Sequence, residues 1–188
     1  TLKGLAGHAG TVPMPMRQDA LAAASEMILA IERLATEKGI VATVGHLKCL
    51  SGAVNVISGA TTFSLDIRSI DDALRDETLK LIIDELNLIA QKRRVKMDIA
   101  PTHQAPAVKC DENLQQQLLN ACKSSEVLPF TLASGAGHDT MAMADICPVA
   151  MLFMRCEKGL SHHPGEAIEV PDIEVALKVM FAFLQNYA

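Results

Sequence analysis

From Gln18 to Lys38 the apolar residues return at steps of four and three, at Ala20, Ala24, Met27, Ile31 and Leu34. That spacing puts them on one stripe of an α-helix, with Glu26, Glu32 and Arg33 elsewhere on its surface, and Gly39 is the expected stop. A second stripe, Leu79, Ile82, Leu86 and Ile89, predicts a helix over about 72–92 that Asp71 and Asp72 can cap. Between the helices the period falls to two. Phe63, Leu65 and Ile67 alternate with Ser64, Asp66 and Arg68, which predicts a strand over 60–69 with one face buried. Leu2–Gly7, the β-branched run Ile40–Cys49 and Val95–Ala100 are the other predicted strands. Pro13 and Pro15 are expected to hold the chain extended to about Arg17. The order is strand, helix, strand, strand, helix, strand: a split βαβ layer, with an antiparallel sheet and two helices on one face.

The character changes after the linker Pro101–Lys109. A helix is predicted near 112–125, a short strand near Phe130, a small helix near Asp139–Ala144 and a buried strand over Val149–Phe153. A last helix after Pro171 carries Ile173, Ala176, Met180, Phe183 and Tyr187 on one face. Helices alternating with strands suggest an α/β sheet, but so short a segment buries its surface poorly by itself. The expected architecture is therefore a βαββαβ domain over 1–108, inserted in a larger α/β domain of which 109–188 is the C-terminal part. Thr1-Leu2-Lys3 enters a strand directly, without an initiator Met, and this also predicts a piece of a longer protein.

Composition narrows the partners. Apolar residues make up 49% of the chain and charged residues 21%, as in globular proteins that bury a core. A net charge of −5 argues against a nucleic-acid partner, and the basic run Lys92-Arg93-Arg94 reads as the solvated end of a helix. No apolar run is long enough for a membrane span. The five widely spaced cysteines form no Cys-x-x-Cys pair and read as thiols in a reducing, cytoplasmic compartment.

Four loops gather polar groups at strand ends, where sites concentrate. In Gly7-His8-Ala9-Gly10-Thr11-Val12-Pro13-Met14 the histidine can address a ligand, or simply hydrogen-bond its own loop. Asn55 lies in the loop Ser51-Gly52-Ala53-Val54-Asn55-Val56, and Arg68 ends the alternating strand on its polar face. An arginine fork suits a substrate carboxylate, but it equally suits a surface pair with Asp66 or Asp71. Ser134-Gly135-Ala136-Gly137-His138-Asp139 leads into the small helix and exposes backbone N–H groups suited to an anion. Gly159-Leu160-Ser161-His162-His163-Pro164-Gly165-Glu166 follows the buried strand, where a histidine can serve a divalent metal. One histidine does not make a metal site. The chain contains no His-Glu-x-x-His set, no Gly-x-Ser-x-Gly elbow and no phosphate loop.

In order and spelling these loops are more specific than any one of them. Gly7-His8-Ala9-Gly10-Thr11-x-Pro13-Met14 with Arg17-x-Asp19-Ala20, Asn55-Val56 before Gly59, Asp66-x-Arg68, Ser134-Gly135-Ala136-Gly137-His138-Asp139 and Ser161-His162-x-Pro164-x-Glu166 together resemble the N-carbamoyl-L-amino-acid hydrolase and allantoate amidohydrolase family over essentially the whole chain. The resemblance implies a dinuclear enzyme whose two divalent ions, zinc or manganese, activate a water that attacks a ureido or amide carbon. It implies His162 as one metal ligand, with the adjoining His163 as a competitor. His8, reaching the scissile group across a homodimer, is implied to stabilise its oxyanion, and Asn55, Arg68 and the Gly137 backbone to hold the substrate carboxylate. Residues 1–108 would form a lid that also makes the dimer. In that family the remaining ligands and the general base precede the lid, so the metal site in this chain is expected to be incomplete and turnover slight. Two alternatives stand beside this reading: a non-catalytic dimerisation and ligand-binding module, and an aminoacylase or dipeptidase of the same superfamily.

Overall fold

Asp19 starts the first helix, α1 (Ala20–Lys38), by accepting the N–H groups of Leu21 and Ala22 on its carboxylate at 3.0 and 3.1 Å. Gly39 ends it with a left-handed φ of 68°. Asp71 caps α2 (Asp72–Arg93) in the same way, and there Arg94 takes the left-handed position at φ 55°. These features come from a computed structural model that describes residues 1–50 and 52–187; Ser51, in the loop before Asn55, lies outside the described residues. The chain divides into two units, Thr1–Ala107 and Val108–Ala188.

In the first unit the strands β1 (Leu2–Lys3), β4 (Leu47–Cys49), β6 (Ala60–Phe63) and β8 (Lys96–Met97) form one antiparallel sheet in the order β4-β6-β1-β8. With α1 and α2 this is the βαββαβ order read from the hydrophobic period. Helix α1 packs on β1 and β6, α2 on β8, and the helices pack on each other. Leu2, Met27, Ile31 and Ile82 are the largest apolar side chains at the centre, each at most 1% exposed. Burying each such side chain contributes roughly 1.5–3 kcal/mol. Ala20, Ala23 and Ala24, all at 0% exposure, give α1 the thin face that brings it close to its neighbours.

Three predicted strands are each cut in two. Leu2–Gly7 becomes β1 and β2 (Gly7–His8), because the chain leaves the sheet at Gly4 and passes against the segment preceding α1 through a Leu5–Gln18 bridge. A side chain at Gly4 would place Cβ 1.9 Å from the Gln18 carbonyl oxygen, so glycine is required for that approach. Strand β2 pairs with β5 (Val56–Ile57) instead. The runs 40–49 and 60–69 both break near Ser64, whose Oγ accepts the His46 N–H at 3.1 Å and so takes over a ladder position. Beyond the break, β3 (Val41–Thr43) and β7 (Asp66–Arg68) make their own ribbon. The segment after Pro13 is not extended but forms a 3-10 turn over Met14–Met16. Lys92, Arg93 and Arg94 are the largely exposed end of α2, as expected, and they also make contacts there. Lys92 and Arg93 both grip Glu26 on α1, and Arg94 reaches the carbonyl oxygens of Pro15 and Arg17.

In the second unit α3 (Glu112–Ser124), capped by Asp111, packs on α5 (Val170–Gln185), and a short α4 (Thr140–Met143) lies between them in sequence. Leu118, Ala121 and Val179 are the buried residues of this helix pair. The inward face of α5 centres on Val179, with Ala176 and Phe183 of the predicted stripe partly buried beside it, while Met180 is 37% and Tyr187 59% exposed. The strands expected near Phe130 and over Val149–Phe153 form no ladder among the described residues, and Phe130 is 82% exposed. An apolar run marks a surface to be covered; only a facing edge makes it a strand. No described helix is long and apolar enough to cross a membrane.

Candidate functional site

The β2–β5 ribbon sets His8 opposite Val56, and next along it the Ala9 N–H donates to the Asn55 carbonyl at 2.8 Å. Two of the expected site residues are thus neighbours across one ribbon. Beyond His8 the chain turns: the N–H groups of Thr11 and Val12 donate to the His8 carbonyl at 3.2 and 3.3 Å, and the Gly10 N–H donates to His8 Nδ1 at 3.0 Å. That last bond decides what the exposed imidazole can do. With Nδ1 accepting, a neutral ring carries its proton on Nε2 and presents a donor to whatever lies outside the loop. Gly10 also leaves the ring its room, since a Cβ there would meet His8 Cε1 at 3.2 Å.

Arg17 holds this turn from behind. Its Nε donates to the Val12 carbonyl at 3.1 Å and its Nη2 to the Ala9 carbonyl at 2.6 Å, and among the described residues it makes no ion pair. In the sequence Arg17 is part of a motif that by itself gives it no task. A basic residue two positions before a helix-capping aspartate, in an otherwise apolar stretch, was the available signal.

Arg68 lies on a different ribbon, β3–β7, opposite Val41. Its guanidinium meets Asp66 side-on, Nε to Oδ1 and Nη2 to Oδ2, both at 2.7 Å. The Arg68 guanidinium holds the Asp66 carboxyl below its ordinary pKa, and Asp66 in turn raises that of Arg68. Both side chains are about half exposed, 49% and 52%, so the pair itself contributes little to stability. Of the two uses weighed for Arg68, the pair with Asp66 is thus formed, and it displays the geometry by which such a fork takes a carboxylate.

In the second unit the Ser134 hydroxyl accepts the Ala136 N–H at 3.2 Å and bonds His138 Nε2 at 2.8 Å, closing the Gly-Ala-Gly turn, while Phe153 meets the His138 ring edge-on at 5.6 Å. The Gly137 N–H donates to no group among the described residues, and the space around its Cα is open. Further on, His162 has a left-handed φ of 56°, which costs a non-glycine residue about 1 kcal/mol. Its N–H donates to Glu166 Oε2 at 3.0 Å. His163 Nδ1 accepts the Gly165 N–H at 2.9 Å, so in this arrangement its neutral ring has the proton on Nε2. Among the described residues no three His, Cys, Asp or Glu side chains gather where they could hold a metal ion. The residues present therefore do not make a dinuclear site by themselves. A groove of about 620 Å³ in this unit is lined by Leu118, Leu128, Phe130 and Val179 among others, and by none of the expected site residues.

The sequence pattern of peptidase family M20/M25/M40 matches residues 5–186. The N-carbamoyl-L-amino-acid amidohydrolase of Pseudomonas sp. (strain NS671) is 39% identical over 183 residues, which cover 96% of this chain and 44% of that protein. Allantoate deiminase 2 of Glycine max is 38% identical, with 99% of this chain and 44% of the relative aligned. Among solved structures, AtUAH in complex with glyoxylate superposes with a TM-score of 0.89 at 36% identity, over 97% of this chain and 44% of the other. The chain thus spans less than half the length of the relatives it matches.

Proposed function

We propose that this chain, which belongs to peptidase family M20/M25/M40, is part of a metal-dependent amidohydrolase cleaving the ureido or amide C–N bond of a small carboxylate-bearing substrate, such as an N-carbamoyl amino acid, allantoate or ureidoglycolate. The observation that carries this reading is the His8 turn. A ring whose Nδ1 is occupied by the Gly10 N–H offers Nε2–H, the donor that a developing oxyanion at the scissile carbon needs. Asn55, a neighbour across the ribbon, and the Arg68 fork, on leaving Asp66, would supply donors for the substrate's carboxylate, and the family resemblance gives the Gly137 backbone the same task. The names of the relatives favour substrates of this class.

In this reading His162 gives one ligand to a site for two divalent ions, zinc or manganese, with the adjoining His163, whose Nδ1 accepts from Gly165, as its competitor. One ligand is too few to bind catalytic metal, so little or no turnover is expected from this chain alone. The first unit serves as the lid and as the homodimer contact, and the protein works in the cytoplasm on small molecules rather than nucleic acid or membrane.

The test is ammonia release by the full-length protein from allantoate and N-carbamoyl amino acids, with manganese or zinc supplied. His8→Ala is expected to lower kcat by about 10²–10³, the usual effect of removing an oxyanion donor. Arg68→Ala is expected to act mainly on KM, raising it about tenfold or more. Near-normal kinetics in either variant removes that residue from the site. Substrate binding with no ammonia released would favour a non-catalytic module instead.

A further inference from the structure

We infer that Arg17 is a positioning residue that selects the tautomer of His8. The inference rests on the reading of His8 as a donor, and its physical basis lies in one peptide unit. The carbonyl of Ala9 and the N–H of Gly10 belong to the same trans peptide and point in opposite directions. Arg17 Nη2 donates to that carbonyl at 2.6 Å, and the N–H on the other side donates to His8 Nδ1 at 3.0 Å. The second arm of the same guanidinium, Nε, holds the Val12 carbonyl at 3.1 Å, so the fork spans the turn and resists its rotation. Were the Ala9–Gly10 peptide to flip, a carbonyl oxygen would face Nδ1. The ring would then carry its proton on Nδ1, and Nε2 would become an acceptor, unable to stabilise an oxyanion. Arg17 therefore decides between donor and acceptor at an atom it does not touch.

The brace is itself anchored. Arg94, at the left-handed end of α2, donates through Nη2 to the carbonyls of Pro15 and Arg17, tying the segment that carries Arg17 to the helix. Neither arginine makes an ion pair among the described residues, so their N–H groups serve main-chain carbonyls on this path. A continuous set of hydrogen bonds runs from α2 through Arg94, Arg17 and the Ala9–Gly10 peptide to the imidazole.

The first measurement is two-bond ¹H–¹⁵N correlation of the histidine rings in ¹⁵N-histidine-labelled protein at pH 8, above the usual histidine pKa of about 6.5, with His8→Ala assigning the signal. Wild type is expected in the Nε2–H form. Arg17→Ala is expected to shift His8 toward a tautomer mixture, and Arg17→Lys, whose point charge cannot span both carbonyls, to fall between. The second measurement is turnover by the full-length enzyme. Arg17→Ala is expected to lower kcat about tenfold to a hundredfold with KM changed less than threefold, and to cost nothing further when His8 is already alanine. An additive loss in the His8→Ala background would mean a general structural role and overturn the inference. So would an unchanged Nε2–H signal in Arg17→Ala; if that variant does not fold, Arg17→Gln carries the same comparison. Because the tautomer is read without turnover, an active His8→Ala enzyme would remove the site reading alone.

Discussion

Gly10→Ala separates the placement of the His8 ring from the stability of the fold around it. A Cβ built at Gly10 lies 3.2 Å from His8 Cε1 and 3.4 Å from Nδ1, while every other neighbour is beyond 4 Å. The only thing that must give is an exposed imidazole, by a few tenths of an ångström. Gly10 is not among the residues with positive φ, so alanine enters without backbone strain. Replacing glycine there restricts the unfolded chain and stabilises by about 0.4–1 kcal/mol. Weakening the single bond from Gly10 to Nδ1 costs about 0.5–1.5 kcal/mol at most, and less at an exposed site. The two effects nearly cancel, and Tm is expected to move by less than about 4 °C. Turnover does not share the cancellation. If a displacement of 1 Å costs about a hundredfold, a few tenths cost about threefold to tenfold in kcat. Thermal melting and ammonia release on the full-length protein measure both quantities. Unchanged kcat at unchanged Tm would show that the placement of His8 is irrelevant to the reaction, and a large fall in Tm would refute the claim that only the ring is displaced.

Two further substitutions probe the first unit. Glu26 accepts from Lys92 at 2.7 Å and from Arg93 at 2.6 Å, and these partners, Lys92 first, hold its carboxyl below the ordinary value of 4.5. A depressed folded-state pKa contributes stability that is present above the unfolded value and lost as pH falls through the folded one. Glu26→Gln should therefore cost about 1 kcal/mol or less at pH 7, since the partners are largely exposed, and progressively less as pH falls below 4.5; a gap between the two melting curves that does not narrow with falling pH would contradict this. Gly4→Ala puts a Cβ 1.9 Å from a main-chain oxygen that cannot swing away, so it should cost about 1–3 kcal/mol in urea unfolding, and an unshifted midpoint would show that the Leu5–Gln18 crossing is not rigid.

What the sequence made legible follows from where each physical signal resides. The period of α1 and α2 predicted both helices within a residue or two, because each is set by its own stripe and its own aspartate cap. The βαββαβ order was legible for the same reason. The strand lengths were not: alternation at Phe63, Leu65 and Ile67 says which face is buried, but only a partner decides where a ladder ends, and Ser64 interrupts it with a side-chain bond. The second unit shows the limit more sharply. The hydrophobicity of Val149–Phe153 is plain in the sequence, yet among the described residues it joins no ladder and its main chain meets only the Asp111 N–H, at the Val149 carbonyl. At the site, the neighbouring positions of His8 and Asn55 came from pairing across a ribbon that no period announces.

The motif around His8 is nevertheless more specific than any single residue in it, and the structure shows what holds it together. Holding one imidazole as a donor on an exposed loop takes several conditions at once. Gly10 must supply an N–H and leave room for the ring. Its peptide must be fixed by something on the carbonyl side, which is Arg17. Arg17 must in turn be fixed, and Asp19, by capping α1 two residues later, anchors the segment at the end that Arg94 does not reach. None of these requirements is unusual alone, as glycines, caps and arginines occur everywhere. Their joint occurrence is specific, because each offset is the reach of a particular hydrogen bond. A motif of this kind is a geometry written in sequence, so its residues are legible together where none of them is legible alone.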